Sequence, residues 1–213
     1  MGDVKRACEL KERSRAAFDA QAATYDEGME GDHARRLYPF VVEEVTAAVV
    51  GKEEPRLLDL GCGTGALAEL VIGRVPSCRL SCVDLSPRMA DAARTRLGAR
   101  AEVSVADAEA LPFPDESFDV VWCNDSFHYY PDSGRAAFSV WRALRPGGAF
   151  VVGDVWQPAP ARALMNAWMP HSREGDVRIY SEGEMRTILG KWFEAVDWRR
   201  VGSTACVCVA RKG

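Results

Sequence analysis

Long apolar runs are missing from this chain: no stretch approaches the roughly 20 residues needed to cross a bilayer. The opening residues MGDVKRACELKERSR also lack the apolar core of a secretory signal. They depart from the myristoylation pattern too, because Arg6 stands where Ser or Thr is needed. Basic charge is in deficit, with 27 Lys and Arg against 31 Asp and Glu for a formal net charge of −4. No basic stripe stands out, which argues against a nucleic-acid partner. The 7 cysteines are odd in number and form no paired metal-ligand spacing. Cys206 and Cys208 lie in the apolar run TACVCVA, and Cys78 and Cys82 flank another, so reduced thiols packed as small apolar side chains are expected. Together these absences predict a cytoplasmic protein with no membrane insertion, no nucleic acid and no metal.

What remains is ordinary for a globular enzyme or binding protein. The 213 residues are 47% hydrophobic and 27% charged, enough for one well-buried domain. No repeat or low-complexity segment interrupts them.

Short apolar runs alternate with helical patterns. Residues 5–20 read as a mostly polar helix, and 33–50 as an amphipathic one in which Pro39 marks a break or kink. Strands are expected at 56–60, 79–84, 102–106, 118–123 and 149–154, with helices at 65–73, 87–97 and 133–144 between them. Ser86 is a natural N-cap for the helix that Pro87 begins and Gly98 stops. RPGG at 145–148 stops the helix before it. Such alternation predicts a doubly wound α/β sheet, mostly parallel, with helices on both faces. The tail differs. After a helix at 181–190, runs 194–201 and 204–212 are separated only by Gly202 and Ser203, too short a link for a parallel crossover. A C-terminal antiparallel hairpin is expected, and with it one antiparallel strand in a seven-stranded Rossmann-like sheet.

The chemistry centres on LLDLGCGTGALAEL at 57–70, a strand running into a glycine-rich turn that opens a helix. Such a turn presents free backbone N–H groups to a ligand. A nucleoside triphosphate would need a lysine after the glycines, and none is there. Gly61, Gly63 and Ala66 satisfy the dinucleotide fingerprint, and Asp84 stands at a suitable distance to bind a ribose, so a nicotinamide oxidoreductase is one reading. Asp59 points elsewhere. A carboxylate just before the first glycine would repel a pyrophosphate but suits a ligand bearing an ammonium and a sulfonium. Bonding of Asp59 to the loop backbone is the simpler structural alternative.

LLDLGCGTG resembles the first motif of the class I S-adenosylmethionine-dependent methyltransferases. VDLSPRMADAAR is similar to that family's second strand and helix, ADAEALPFPDESFDVVWCND to its adenine-binding turn and fourth strand, and RALRPGGAFVV to its entry into strand five. FDAQAATYDE, nearer the start, resembles the quinone-biosynthesis branch. The resemblance implies S-adenosyl-L-methionine as cofactor, S-adenosyl-L-homocysteine as product, and a small-molecule methyl acceptor as the partner. It also implies roles: Gly61, Cys62 and Gly63 under the methionine portion, Asp84 on the ribose hydroxyls, and Leu85 and Met89 against adenine or ribose. Asp107 and the N–H of Ala108 would read the adenine. Asn124 would face the ammonium, and Tyr25 would belong to a lid over the methionine end. The organisation it implies is one domain over 1–213, with a helical lid at 1–50, a cofactor core at 56–154, an acceptor-pocket insertion at 155–180 and a terminal helix and hairpin at 181–213.

Methyl transfer from a sulfonium needs alignment and water exclusion more than protein acid–base chemistry. If the acceptor must lose a proton, CNDSFHYYPD offers Asp125, His128, Tyr129 and Tyr130, and VVGDVWQP offers Asp154 and Trp156. His128 is the expected base, since an imidazole titrates near neutrality; a structural role is its alternative. His33 and His171 are weaker candidates, and Arg35 and Arg36 could hold the methionine carboxylate. Trp156, Met165, Trp168 and Met169 suggest a small, partly apolar acceptor. Oxygen, nitrogen and carbon acceptors all stay open, as does a non-catalytic cofactor-binding sensor or assembly protein.

Overall fold

The computed structural model describes residues 2–29 and 31–213, leaving aside the side chains of residues 2 and 3. Seven strands form one sheet in the order β3-β2-β1-β4-β5-β7-β6. They are β1 (Arg56–Leu60), β2 (Arg79–Asp84), β3 (Ala101–Val105), β4 (Phe118–Asn124), β5 (Leu144–Val155), β6 (Ala195–Val201) and β7 (Ala205–Arg211). β1 to β5 pair in parallel, and β7 runs antiparallel between β5 and β6. The sheet is the mostly parallel, seven-stranded, doubly wound arrangement expected from the alternation, with its single antiparallel strand in the hairpin.

The central strands are apolar on both faces because helices cover both. Leu57, Val120 and Trp122 face one cluster; Leu58, Leu60, Val121 and Cys123 face the other. Against the first pack α2 (Asp32–Ala48), α3 (Ala66–Arg74) and α4 (Pro87–Leu97). Against the second pack α5 (Ser133–Ala143) and α7 (Glu182–Leu189). Two helices lie outside this sandwich. α1 (Gly2–Gln21) crosses the carboxyl ends of β2 and β3, and α6 (Ala159–Trp168) buries none of its residues.

Local signals set the ends of these elements. Ser86 caps α4 by accepting from the Met89 N–H at 3.1 Å, and Gly98 closes it at φ 54°. Ser181 and Glu184 form a reciprocal capping box at the start of α7. The structure departs from expectation at three places. Pro39 does not break α2, which runs through it; the ring lies on the exposed face, where water can serve the carbonyl that lost its donor. β5 begins at Leu144, because Leu144 pairs with Phe118 and RPGG forms an irregularity inside the strand, with Gly147 at φ 73°. The hairpin link is 202–204, with Gly202 in the left-handed region at φ 58°. All seven cysteines are free thiols.

Candidate cofactor and acceptor site

The carboxyl ends of β1, β2 and β4 splay around the glycine turn, the place where open α/β sheets bind ligands. Gly61, Gly63 and Gly65 all take positive φ (71°, 53° and 79°), which L side chains reach only with strain. Gly61 is further confined, since a Cβ there would meet Ser126 Oγ at 2.9 Å. The turn is fixed to β2 by one carboxylate. The Gly63 and Ser86 N–H groups each donate to Asp84 at 2.8 Å, one to each oxygen. Burial drives the Asp84 pKa up to about 6, even though those two N–H bonds favour the charged form.

A cavity of about 790 Å³, counting its open mouth, follows this turn. Of the residues singled out from sequence, Tyr25, Gly61, Gly63, Asp84, Leu85, Met89, Asp107, Ala108 and Asn124 line it. Asp59 and Cys62 line a smaller adjoining recess, together with Tyr25, Gly61, Gly63 and Asn124. Two acceptor atoms of this recess, Asp59 Oδ2 and Asn124 Oδ1, are buried without a hydrogen-bond partner. Burial and the neighbouring Asp84 hold the Asp59 pKa well above its ordinary range; the Trp122 indole N–H, across in β4, tempers this from outside bonding geometry. Orphaned acceptors inside a protein are costly and call for a donor. An ammonium beside the glycine turn would supply one, so these residues fit a ligand such as S-adenosylmethionine.

α1 forms the roof. Lys11 donates to Asp107 Oδ2 at 2.7 Å and to the buried Glu109 at 2.5 Å. These carboxylates raise its pKa against the opposing pull of burial. Asp19 accepts from Ser86 Oγ at 2.6 Å and from the Arg88 N–H at 3.1 Å. After α1, Asp26 accepts from Thr64 Oγ1 at 2.6 Å and pairs with Arg96, and Arg35 donates to the Tyr25 and Gly28 carbonyls. Arg35 is thus engaged in shaping the loop between α1 and α2. Nothing in the polar pattern of 5–20 distinguished Lys11 or Asp19 from solvated neighbours, so sequence reading missed both.

His128 is set apart from the cavity wall. It is buried, with Nδ1 at 2.5 Å from Asp154 Oδ1 and Nε2 at 3.6 Å from Asp176. Its backbone carbonyl accepts from the N–H groups of Val177 and Arg178. Burial alone would depress its pKa, but the Asp154 carboxylate overrides that and pushes it to about 9. At neutral pH this imidazole is charged and occupied, and it ties 174–178 to the sheet. Asp125, His128 and Asp154 also offer ligand atoms within 4.8 Å of one another, though His128 and Asp154 are already bonded to each other.

The second imidazole is nearer the cavity. His33, in the first turn of α2, has Nδ1 at 2.8 Å from Asp125 Oδ1 and Nε2 at 3.3 Å from the Thr204 carbonyl. The bond to Asp125 raises its pKa against the effect of burial. Asp125 lines the cavity at φ 55°, a left-handed conformation uncommon outside glycine. In the insertion, Met169 is buried, whereas Met165 and Trp168 face outward and Trp156 packs on Trp198 at 6.2 Å between ring centroids. None of these lines the main cavity.

A doubly wound sheet with one antiparallel strand and a glycine turn opening on a cavity at its carboxyl edge is an α/β fold of the kind that binds ligands at that place. Comparison with known proteins agrees: residues 58–152 match the family model described as a methyltransferase domain. Over that stretch the chain is similar to methyltransferases. It is 35% identical over 187 residues to a malonyl-[acyl-carrier protein] O-methyltransferase of Geobacter sulfurreducens, covering 84% of this chain and 66% of that one. It is 41% identical over 116 residues to a demethylmenaquinone methyltransferase of Thermus thermophilus, covering 53% and 52%. The chain therefore spans less than two thirds of these relatives. Among solved structures, one in complex with the Trm112 methyltransferase activator of Haloferax volcanii superposes with a TM-score of 0.73 over 91% of this chain and 96% of that one, at 23% identity, which speaks for the fold.

Proposed function

We propose that the protein transfers the methyl group of S-adenosyl-L-methionine to a small, partly apolar molecule. The observation that carries this reading is the pair of orphaned acceptors, Asp59 Oδ2 and Asn124 Oδ1, in the recess beside the glycine turn that adjoins the cavity lined by Asp84 and Asp107. When bound, S-adenosylmethionine supplies a methyl group already activated by a sulfonium. The chain's own work is then to hold, align and keep dry. Asp84 would accept from ribose hydroxyls with the lone pairs its two backbone donors leave free. Asp107 and the Ala108 N–H would read the adenine edge. Tyr25 and Phe18, from the lid, would exclude water from the reacting end. Cytoplasmic residence fits this reading, and among the described residues no helix is long and apolar enough to cross a membrane.

Calorimetry with S-adenosyl-L-homocysteine and with reduced nicotinamide cofactor tests the assignment. Saturable heat with the first and none with the second is expected; the reverse result overturns it. Labelled-methyl transfer across amines, phenols and carboxylic acids then separates an enzyme from a cofactor-binding sensor that turns over nothing.

A further inference from the structure

Beyond the groups suited to adenosine and methionine, one charged side chain on the cavity wall is left without an assignment. Asp125 directly follows β4, holds a left-handed backbone at φ 55° and lines the cavity. Its side chain keeps 11% exposure. One oxygen is bonded to His33; the other has no protein partner among the described residues. Strain of this kind costs energy and persists where the surroundings enforce it, often at a binding site.

Of the acids at this end only Asp125 lines the cavity; Asp154 and Asp176 are taken up by His128, and Glu174 accepts from Tyr129. Among the described residues, the only Lys or Arg side chains lining the cavity are Lys11 and Arg15, and each is already engaged with carboxylates. Tyr25, Tyr129 and Tyr130 line the same cavity, and ring faces attract cations. A carboxylate acceptor would enter this end with no free cation to receive it and the Asp125 charge to repel it. An ammonium would find a spare carboxylate oxygen and aromatic walls.

We propose that Asp125 is an acceptor-binding residue and that the acceptor is an amine, held as its ammonium by an N–H bond to the free Asp125 oxygen while His33 fixes the other. On transfer one N–H proton would pass to that oxygen, and the freed nitrogen lone pair would take the methyl as the S–CH3 bond breaks to leave neutral S-adenosylhomocysteine. This rests on the methyltransferase reading and narrows it to nitrogen. It sets the chain apart from the malonyl-[acyl-carrier protein] relatives, whose names specify O-methylation.

The test uses three aryl probes matched in size: 2-phenylethylamine, 4-ethylphenol and 3-phenylpropionate. With S-adenosylhomocysteine bound no methyl group is available for transfer, so 2-phenylethylamine reports binding alone and should give a calorimetric signal with the wild type. Affinity should fall about tenfold in Asp125→Asn, the loss expected when a charge-assisted contact becomes neutral. Asparagine tolerates the left-handed backbone, so the variant keeps the fold, and its affinity for S-adenosylhomocysteine should be unchanged. Asp125→Glu should recover part of the loss. In turnover the amine should be methylated in preference to phenol and carboxylate, with Asp125→Asn raising its KM and lowering its kcat. Preference for phenol or carboxylate, or no binding of 2-phenylethylamine, overturns the proposal while intact S-adenosylhomocysteine binding leaves the methyltransferase reading standing. Loss of S-adenosylhomocysteine binding by the wild type would instead remove the reading itself.

Discussion

Replacing Asp84 with asparagine should make the protein less sensitive to pH while weakening its grip on the cofactor. In the folded chain the Asp84 pKa sits at about 6, against an ordinary 3.8. The sign follows from proton binding. Between those two values the folded state retains a proton that the unfolded state has released, so stability falls as pH rises from 4 to 6. Below 4 both states are protonated and the contribution vanishes; above 6 it is complete. At about 1.4 kcal/mol per pH unit, the cost is about 3 kcal/mol, an upper figure because the carboxylate faces cavity water. For a chain of this length that is roughly 6–12 °C in melting temperature. Asparagine removes the charge but has one acceptor oxygen for two backbone donors, so it gives back about 1–3 kcal/mol through an unpaired Gly63 or Ser86 N–H. The two terms nearly cancel at pH 7, and Asp84→Asn should melt close to the wild type there. At pH 4, where only the unpaired N–H counts, it should melt several degrees below. The assay is a melting series from pH 4 to 7.5 on both proteins without ligand, followed by calorimetry with S-adenosylhomocysteine at pH 7.5. Affinity should drop by more than tenfold, as a charge-assisted bond is worth about 1.5–3 kcal/mol. Parallel melting curves over that pH range would refute the burial argument, and unchanged affinity would refute the ribose assignment.

Other predictions follow from the buried ion pairs and the turn. His128→Ala leaves Asp154 and Asp176 facing an empty space, and should cost about 3–5 kcal/mol by denaturant unfolding. The wild type should lose stability as pH rises from 6.5 through about 9, because the charged folded-state imidazole gives up its proton there; the variant should show no such loss. Gly61→Ala should lower the melting temperature and weaken cofactor binding, since the left-handed backbone costs about 1–2 kcal/mol and the new methyl collides with Ser126. Lys11→Met should speed amide hydrogen exchange in α1 and remove its salt dependence, because the clasp on Asp107 and Glu109 is gone.

The sheet was legible because period-two and helical patterns, glycine stops and Ser86 each encode a local geometry. Asp59, Asp84 and Asp107 were legible because motif spacing places them at strand ends. The neighbours of His128 were not. Its partners Asp154 and Asp176 come from other segments, and an imidazole's titration is decided by such company rather than by its own surroundings in sequence. Asp125 and His33 were each visible as residues, but their pairing joins β4 to α2 across 92 positions and leaves no periodic trace. The outward-facing Met165 and Trp168 show the limit of composition, which counts apolar residues without saying which way they point.

Thr204, whose carbonyl meets His33, lies 171 positions downstream of it. β7, which follows directly, wedges between two earlier strands. During synthesis, β5 therefore waits as a raw edge until residues 205–211 have left the ribosome. A nascent chain arrested before residue 204 already holds every glycine of the turn, yet lacks the carbonyl that His33 Nε2 meets.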